Sequence, residues 1–324
     1  MIKTHLVYCL FLVVIPFLVL AQPVPAAEEN IPFLVTFGEK ANTNFGDDDF
    51  SQTFFFVLPK TQIKPIYIRV FDPDVGGKND ELNGAADTKT TFSVYGGKGC
   101  ISNKDARSTS PTGNFKSGNL LKLKTFGEDS KYDDDWYTFG PFNPNEGESE
   151  EKYGGVVFKI VAEGVSGNDG NLYRYYMSTS PDQNRSVEGG NSFTFEYSFR
   201  MHTSANQVSH IYPYIDEAVI SLKQSNFDWD DDGKIKIISV AKKGEYASAS
   251  GDDKWASSSH KIVNAEKGKS FDIQFIKKSG SNSPNNNVVF YITNQYGEML
   301  PFYTIPIGGV PVYNPKINVR PKKQ

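Results

Sequence analysis

Hydrophobic and polar residues alternate with a period of two along much of the chain. In the clearest run, 193–201, every second residue is Phe, Tyr or Met and the residues between them are polar. The runs 66–71 and 271–275 have the same two-sided pattern. Such alternation is typical of antiparallel strands with one buried face, and no stretch keeps the 3.6-residue period of an amphipathic helix. Further runs rich in β-branched and aromatic residues predict strands at 31–37, 53–58, 156–162, 235–240, 288–293 and 302–305.

Segments rich in Gly, Asn, Asp and Pro separate the predicted strands. They include 74–84, 164–171, 188–191 and 279–287. This is the turn chemistry of sandwiches and barrels. The sequence therefore predicts an all-β fold of one or two antiparallel β-sandwich domains.

The length of 324 residues, at about 150 residues per domain, favours two domains. We predict a first sandwich at 28–165 and a second at 166–324, because the segment 164–171 has the most linker-like composition of the chain. A Gly-rich hairpin within a single domain is the alternative for this segment.

The N-terminal residues have the organisation of a secretory signal peptide. Lys3 precedes the uncharged apolar run 6–21, which is short for a span that needs about 20 residues. Small residues then offer cleavage after Ala21 or after Ala26. We therefore predict a signal peptide and short leader at 1–27 and a secreted, periplasmic or cell-surface protein with no integral membrane segment in the mature chain. An uncleaved signal anchor is the alternative.

Charge and cysteine content exclude some classes of function. The net charge is −4, and no run of basic residues is longer than a pair such as Lys322-Lys323, which disfavours nucleic-acid binding. Cys9 falls in the leader, so Cys100 would be the single cysteine of the mature chain and cannot form an intramolecular disulfide. We expect Cys100 to be buried and unreactive.

A short theme of acidic residues next to an aromatic residue recurs along the chain. All three tryptophans belong to it. It occurs at Asp47-Asp48-Asp49-Phe50, Asp133-Asp134-Asp135-Trp136, Asp228-Trp229-Asp230-Asp231-Asp232 and Asp252-Asp253-Lys254-Trp255.

The third of these clusters continues into Gly233 and resembles the first half of the calcium loop of EF-hands and dockerins. In those loops, side chains at the first, third and fifth positions and a later backbone carbonyl bind one hard cation, and the glycine makes a sharp turn. The resemblance implies a calcium site with ligands from Asp228, Asp230, Asp232 and the carbonyl of Lys234. Ser239 stands at the twelfth position, where the family has a bidentate Glu. The remaining ligands are therefore expected from another loop, with Asp216, Glu217, Asp252 and Asp253 as candidates.

Two acidic loops also have simpler interpretations. Asp232-Gly233 between alternating strands is a common hairpin signal, although a hairpin alone does not need acids at alternate positions. The loop 72–81 has no recognisable metal-ligand spacing, and a solvated turn is favoured over a second cation site there.

The sequence assigns no catalytic residues. The histidines lack zinc-ligand spacing, and neither Gly-x-Ser-x-Gly nor a P-loop occurs. We predict a non-enzymatic exported protein with calcium-stabilised loops that recognises a glycan or a protein, with the tyrosines of 173–176 and 212–214 as a candidate stacking platform. The alternatives are a secreted, glycosidase-like enzyme acting on extracellular polymer and a structural component of an extracellular layer.

Overall fold

A computed structural model describes residues 23–107, 115–205, 207–279 and 286–313. Most of the predicted signal peptide, 1–22, lies outside the described residues. Within the described ranges the secondary structure consists of β-strands and short 3-10 helices, with no α-helix. The prediction of an all-β fold built from antiparallel sheets is confirmed.

The strands are short to medium in length and follow one another closely. In chain order they are β1 (Pro23–Val24), β2 (Phe33–Phe37), β3 (Ser51–Pro59), β4 (Ile66–Phe71), β5 (Lys89–Gly96), β6 (Asn119–Phe126), β7 (Trp136–Phe142), β8 (Glu148–Glu150), β9 (Gly155–Ser166), β10 (Gly170–Ser178), β11 (Asn191–Thr194), β12 (Glu196–Arg200), β13 (Val208–Ile211), β14 (Tyr214–Ile215), β15 (Ser221–Phe227), β16 (Gly233–Ile238), β17 (Glu245–Ala247), β18 (Trp255–Lys261), β19 (Lys269–Ser270), β20 (Asp272–Lys277), β21 (Asn287–Asn294) and β22 (Phe302–Tyr303). The 3-10 helices are Ala27–Glu29, Thr43–Phe45, Lys104–Arg107, Pro144–Glu146, Glu151–Tyr153 and Asn264–Glu266.

Strand pairing divides the chain into two halves with the same topology. In the first half one sheet has the order β7-β4-β10-β2 and the other has the order β3-β9-β5-β6. In the second half the corresponding orders are β18-β15-β21-β12 and β13-β20-β16-β17. Among the described residues, each half thus contains eight main strands that are distributed between two sheets by the same rule, which is that of a jelly roll. The second half repeats the topology of the first.

The two halves are joined through their sheets and through their core. Strands β2 and β12 pair in an antiparallel manner, with Leu34 opposite Phe199, and this fuses two four-stranded sheets into one sheet with the order β18-β15-β21-β12-β2-β10-β4-β7. The largest apolar cluster includes buried side chains from both halves, such as Phe54, Phe92 and Phe275. The burial of apolar surface that stabilises the fold is therefore shared between the halves.

The predicted boundary at 164–171 contains the end of β9, a short turn and the start of β10, and these two strands lie in different sheets. Both of these strands pair within the first half, and the turn is fastened by Asp169, which is fully buried. Its carboxylate accepts hydrogen bonds from the backbone N–H groups of Asn83, Asp87 and Thr88. Strand pairing changes from the first half to the second between β10 and β12.

The strand predicted at 193–201 is two strands that belong to different sheets. Strand β11 pairs with β3 and β22, whereas β12 pairs with β2 and β21. The chain crosses between the sheets at Phe195, where the Thr194 hydroxyl donates to the carbonyl of Thr53 at 2.6 Å. The alternating apolar residues of 193–201 are nevertheless all buried, because both sheets face the interior.

Candidate metal centre

Three groups of three aspartates bring carboxylate oxygens within 4.8 Å of one another in the described part of the chain. One consists of Asp228, Asp230 and Asp252 and is called the Asp228 group below. A second consists of Asp72, Asp74 and Asp133 and is called the Asp72 group. The third consists of the neighbours Asp47, Asp48 and Asp49. Each group could hold a metal ion, since several negative oxygens that converge on one point repel one another unless a cation lies between them.

The Asp228 group forms where strand β15 ends and the edge strand β18, its partner, begins. Strand β15 ends at Phe227, which lies opposite Trp255, the first residue of β18. Asp228 therefore emerges beside the residues that precede Trp255, and Asp252 is among them. The antiparallel pairing thus brings together acids that are 24 residues apart in sequence, from 228 to 252.

The carboxylate of Asp228 is almost completely buried, with 1% of the residue exposed. Its Oδ1 accepts a hydrogen bond of 2.7 Å from the backbone N–H of Asp253, but Oδ2 is buried without a hydrogen-bond partner. Burial, followed by the charges of Asp230 and Asp252, raises the pKa of Asp228 to about 7. An unpartnered buried carboxylate oxygen is costly, and a bound cation is one way to remove that cost.

The two other predicted ligands are the Asp232 carboxylate and the backbone carbonyl of Lys234. The Oδ2 atom of Asp232 lies 3.1 Å from the ammonium of Lys277, and both side chains are buried. This pairing already supplies the Asp232 carboxylate with a positive partner. Lys234 lies in β16, opposite Ile276 of β20, and its ammonium lies over the ring of Tyr246. The loop differs from a helical calcium hand because β16 begins at Gly233.

Of the candidates for additional ligands, Asp252 joins the Asp228 group. Asp253 contributes its backbone N–H to the site, and its carboxylate accepts from the Thr43 hydroxyl at 2.7 Å. The Asp216 carboxylate accepts from Ala218 in a turn before β15. Glu217 and Ser239 lie outside the three groups, and the Ser239 hydroxyl bonds Glu266.

The Asp72 group has the same relation to its strands. Strand β4 ends at Phe71, which lies opposite Trp136, the first residue of β7. Asp74 is fully buried. Its Oδ2 accepts from the Asp129 N–H at 3.1 Å, and its Oδ1 has no hydrogen-bond partner. Sequence analysis did not select this site, because the acids come from two loops that show no joint spacing.

The third group is a local turn. Asp47 Oδ2 accepts from the backbone N–H of Phe37 at 2.8 Å, and Oδ1 accepts from Phe50 at 2.9 Å. Asp49 accepts from the N–H of Ser51. These bonds fix the connection between β2 and β3 and give the group a structural role, although Oδ1 of Asp48 is buried without a hydrogen-bond partner.

The predicted tyrosine platform does not form. Tyr173, Tyr175, Tyr176 and Tyr212 are all buried, since the first three line β10 in the middle of the large sheet. The prediction was wrong because aromatic residues on a central strand pack into the core on both faces when the outer face is also covered. Exposed aromatic surface occurs instead at the sheet edges, where Trp255 is 43% exposed.

An open groove of about 620 Å³ lies on the outer face of β4 and β7. Its lining includes Tyr67, Arg69 and Trp136. The guanidinium of Arg69 lies 5.1 Å from the centre of the Trp136 ring, and its Nε donates to Thr138. The groove therefore combines aromatic faces with hydrogen-bond donors.

Comparison with models of protein families and with curated proteins gave no match. Function is therefore argued from the geometry of the sites. Within the ranges that the structure covers, no helix is long and apolar enough to cross a membrane.

Proposed function

We propose that this chain is an exported, non-enzymatic recognition protein whose β-sandwich is stabilised by calcium bound at Asp228, Asp230 and Asp252. The observation that carries this proposal is the buried, unpartnered Oδ2 of Asp228 beside two further carboxylates. Asp232 is omitted from the ligand set because Lys277 pairs with it.

Calcium is the cation that suits these ligands best. The group offers only oxygen atoms, which hard cations prefer. Ca–O distances of about 2.3–2.6 Å allow one ion to bridge oxygens up to roughly 5 Å apart, which agrees with the spacing within 4.8 Å in this group. Three carboxylates without a bidentate Glu at the twelfth position predict weak affinity, on the order of 10⁻⁴ M, in the range of extracellular modules.

Thermal unfolding with millimolar calcium and with chelator tests the site. A ligand that binds only the folded state stabilises it by about 2.7 kcal/mol at a hundredfold excess over Kd, so we expect a higher melting temperature with calcium. Asp228→Asn should remove most of the increase. Asp216→Asn is the matched control, because it removes an acid that lies elsewhere. Equal melting of the wild-type protein in both conditions would reject the proposal.

Export predicts a particular mature N-terminus. Val24 is buried and pairs with Tyr175 through β1, and the N–H of Ala26 donates to Glu29 at 2.6 Å. Cleavage after Ala26 would discard these contacts, so we propose cleavage after Ala21. Mass spectrometry of the exported protein decides between the two sites, and an intact Lys3 outside the cytoplasm would reject cleavage altogether.

The groove beside Trp136 is our candidate for the recognition surface. Sugar rings stack on aromatic faces, and Tyr67 and Trp136 line the groove, whereas the buried Arg69 guanidinium donates to Thr138 and Asn184. We expect Trp136→Ala to abolish glycan retention on an array of extracellular polysaccharides, while Trp255→Ala serves as the control at the opposite sheet edge. Glycan retention by Trp136→Ala at the wild-type level would reject this glycan site and favour a protein as the ligand.

One cavity in the described structure is a candidate active site for the enzyme alternative. A cavity of about 200 Å³ has aromatic walls and contains Asp216 and Glu298. Both carboxylates accept hydrogen bonds in turns, from Ala218 and from Asn294, which favours a structural role. Polymer hydrolysis that is lost in Glu298→Gln would favour the enzyme instead.

A further inference from the structure

The acidic theme occurs twice at equivalent positions of the two halves. In each half a strand ends at the Phe of a Phe-Asp-x-Asp sequence, and its partner strand begins at the Trp of an Asp-Asp-x-Trp sequence. The matching segments are Phe71-Asp72-Pro73-Asp74 with Asp133-Asp134-Asp135-Trp136, and Phe227-Asp228-Trp229-Asp230 with Asp252-Asp253-Lys254-Trp255. Because β4 corresponds to β15 and β7 to β18 in the two jelly rolls, the two groups occupy the same place in the fold.

The backbone geometry of the two groups also matches. Asp72 and Asp228 have left-handed φ values of 56° and 57°, and Asp134 and Asp253 have φ values of 55° and 49°. The N–H of Asp134 donates to Asp72 Oδ1 at 3.2 Å, as the N–H of Asp253 does to Asp228 Oδ1 at 2.7 Å. Left-handed aspartates are uncommon enough that their occurrence at these two equivalent positions indicates a similar loop design in both halves, although Asp230 is left-handed and Asp74 is not.

The aromatic rings at the ends of the paired strands also pack against each other in the same way in both halves. Phe71 and Trp136 have ring centres 5.3 Å apart, and Phe227 and Trp255 have ring centres 5.2 Å apart. These contacts hold the ends of each strand pair together, so the acids that follow or precede them are held close to one another.

A separate observation indicates a ligand at the Asp72 group. Asp74 is fully buried, and its Oδ1 has no hydrogen-bond partner. The Asp74 carboxylate belongs to the cluster in which it, Asp72 and Asp133 each offer an oxygen within 4.8 Å of the others. Buried carboxylate oxygens are nearly always hydrogen-bonded or bound to metal, so this atom lacks the partner that its position requires.

We propose that Asp72, Asp74 and Asp133 form a second divalent-cation site, equivalent to the Asp228 group, so that one chain binds two calcium ions at opposite edges of its large sheet. The second site extends the proposed function, but it rests on a separate atom, Oδ1 of Asp74, which is buried without a hydrogen-bond partner. Its ligands correspond to Asp228, Asp230 and Asp252 in that order.

The duplication also identifies an acid that is not a ligand. The backbone N–H of Asp72 donates to the carbonyl of Asp135, and that of Asp228 donates to the carbonyl of Lys254. Asp135 therefore corresponds to a lysine, whose side chain cannot bind a cation. Asp135→Asn removes one negative charge from the same loop and provides a matched control for the loss of a ligand.

Calorimetric titration of the full chain with calcium tests the number of sites. We expect two equivalents for the wild-type protein and for Asp135→Asn, and one equivalent for Asp74→Asn and for Asp133→Asn. Asp133 is only partly buried, so its variant keeps the test valid if Asp74→Asn does not fold. Two equivalents in both of these variants would overturn the second site, as would a single wild-type equivalent that Asp228→Asn removes.

Terbium emission sensitised by tryptophan assigns each ion to its site. Trp136 follows the Asp72 group in sequence, whereas Trp229 lies between Asp228 and Asp230 and Trp255 follows Asp252. We therefore expect Trp136→Phe to lower the emission from the Asp72 group by more than half, and the double substitution Trp229→Phe and Trp255→Phe to do the same for the Asp228 group. Binding that is lost in Asp74→Asn but unchanged in Asp228→Asn would support the second site while rejecting the proposed function. Emission that is insensitive to Trp136→Phe and to Asp74→Asn would overturn the second site.

Discussion

The Asp228 and Asp72 groups share a scaffold but differ in the groups around their carboxylates. The Asn79 amide donates to Oδ2 of Asp72 and to Oδ1 of Asp134, and the ammonium of Lys78 lies 2.7 Å from Asp134. Asp228 Oδ2 has no such donor. The comparison shows that strand pairing gathers the acids in both halves, while the neighbouring loop decides how much of their charge is already compensated.

Loop length is the source of this difference. Strand β16 begins at Gly233, directly after the Asp228 loop, whereas β5 begins only at Lys89. The longer loop of the first half carries Lys78, Asn79 and Asp80. Burial raises the pKa of Asp80 to about 8, although the carboxylate accepts from the N–H groups of Gly76 and Leu172. These extra residues of the first half therefore lie against the acidic loop and compensate part of its charge.

The largest expected effect tests whether the two halves unfold together. Phe92 of the first half and Phe275 of the second are fully buried in the shared core, and Phe→Ala in a core costs about 3–5 kcal/mol. We expect each substitution to lower one common melting transition, measured by calorimetry. Tyr296→Ala, at a residue that is 77% exposed, should change stability by less than about 0.5 kcal/mol. Two separate melting transitions, with each substitution lowering the temperature of only one of them, would show that the halves unfold independently.

The next largest effect is a pH dependence of stability that we expect from Glu29, a buried acid that links the two halves. Glu29 accepts from Tyr197 of β12, and burial raises the pKa of this carboxyl from 4.5 to about 8. The folded state therefore binds a proton that the unfolded state releases, so stability falls as pH rises from 4.5 to 8. Glu29→Gln should be more stable than the wild-type protein at pH 8, on the order of a few kcal/mol.

Urea unfolding at several pH values measures the effect of Glu29→Gln. The variant should show a flatter dependence of unfolding free energy on pH, and the two proteins should converge below pH 4.5, where Glu29 is protonated in both states. Identical pH slopes for the two proteins would contradict the assignment. In the second half, the acid nearest before β11 and β12 is Glu188, which is exposed. We therefore expect no comparable pH-dependent change in stability from that half.

A smaller effect should rank the two proposed calcium sites. Because Asn79 already occupies Oδ2 of Asp72, we expect the Asp228 group to bind calcium about tenfold more tightly, equivalent to about 1.4 kcal/mol. Competition of calcium against terbium in Asp74→Asn, which leaves the Asp228 group, and in Asp228→Asn, which leaves the Asp72 group, measures the two affinities separately. Asn79→Ala should narrow the difference by freeing the Asp72 oxygen. Equal affinities in the wild-type protein would show that Asn79 does not compete with the ion.

The smallest expected effect is that of reducing agent. Cys100 is a free, fully buried thiol, and burial raises its pKa to about 12. A thiol that stays protonated is a poor nucleophile, so the melting temperature should be the same with and without reductant. A thiol-dependent shift would indicate an intermolecular bond through Cys100.

The sequence determined the fold class, because side-chain alternation reports directly which face of a strand is buried. The runs 66–71 and 271–275 form β4 and β20 with the expected apolar residues inside. Polar strands were missed. Strand β18 reads Trp-Ala-Ser-Ser-Ser-His-Lys, and its strand conformation comes from pairing with β15.

The sequence also pointed to Asp228 and Asp230, since acids at alternate positions before a glycine have a known metal-loop pattern. It named Asp252 only as one of several candidates for further ligands, because the approach of Asp252 to Asp228 and the pairing of Asp232 with Lys277 depend on which strands become neighbours. The same holds for the Asp72 group, whose members come from loops 59 residues apart, at 74 and 133. Local residue chemistry determines what a loop can bind, and tertiary pairing alone decides which loops meet, because register is set by burial across whole sheets.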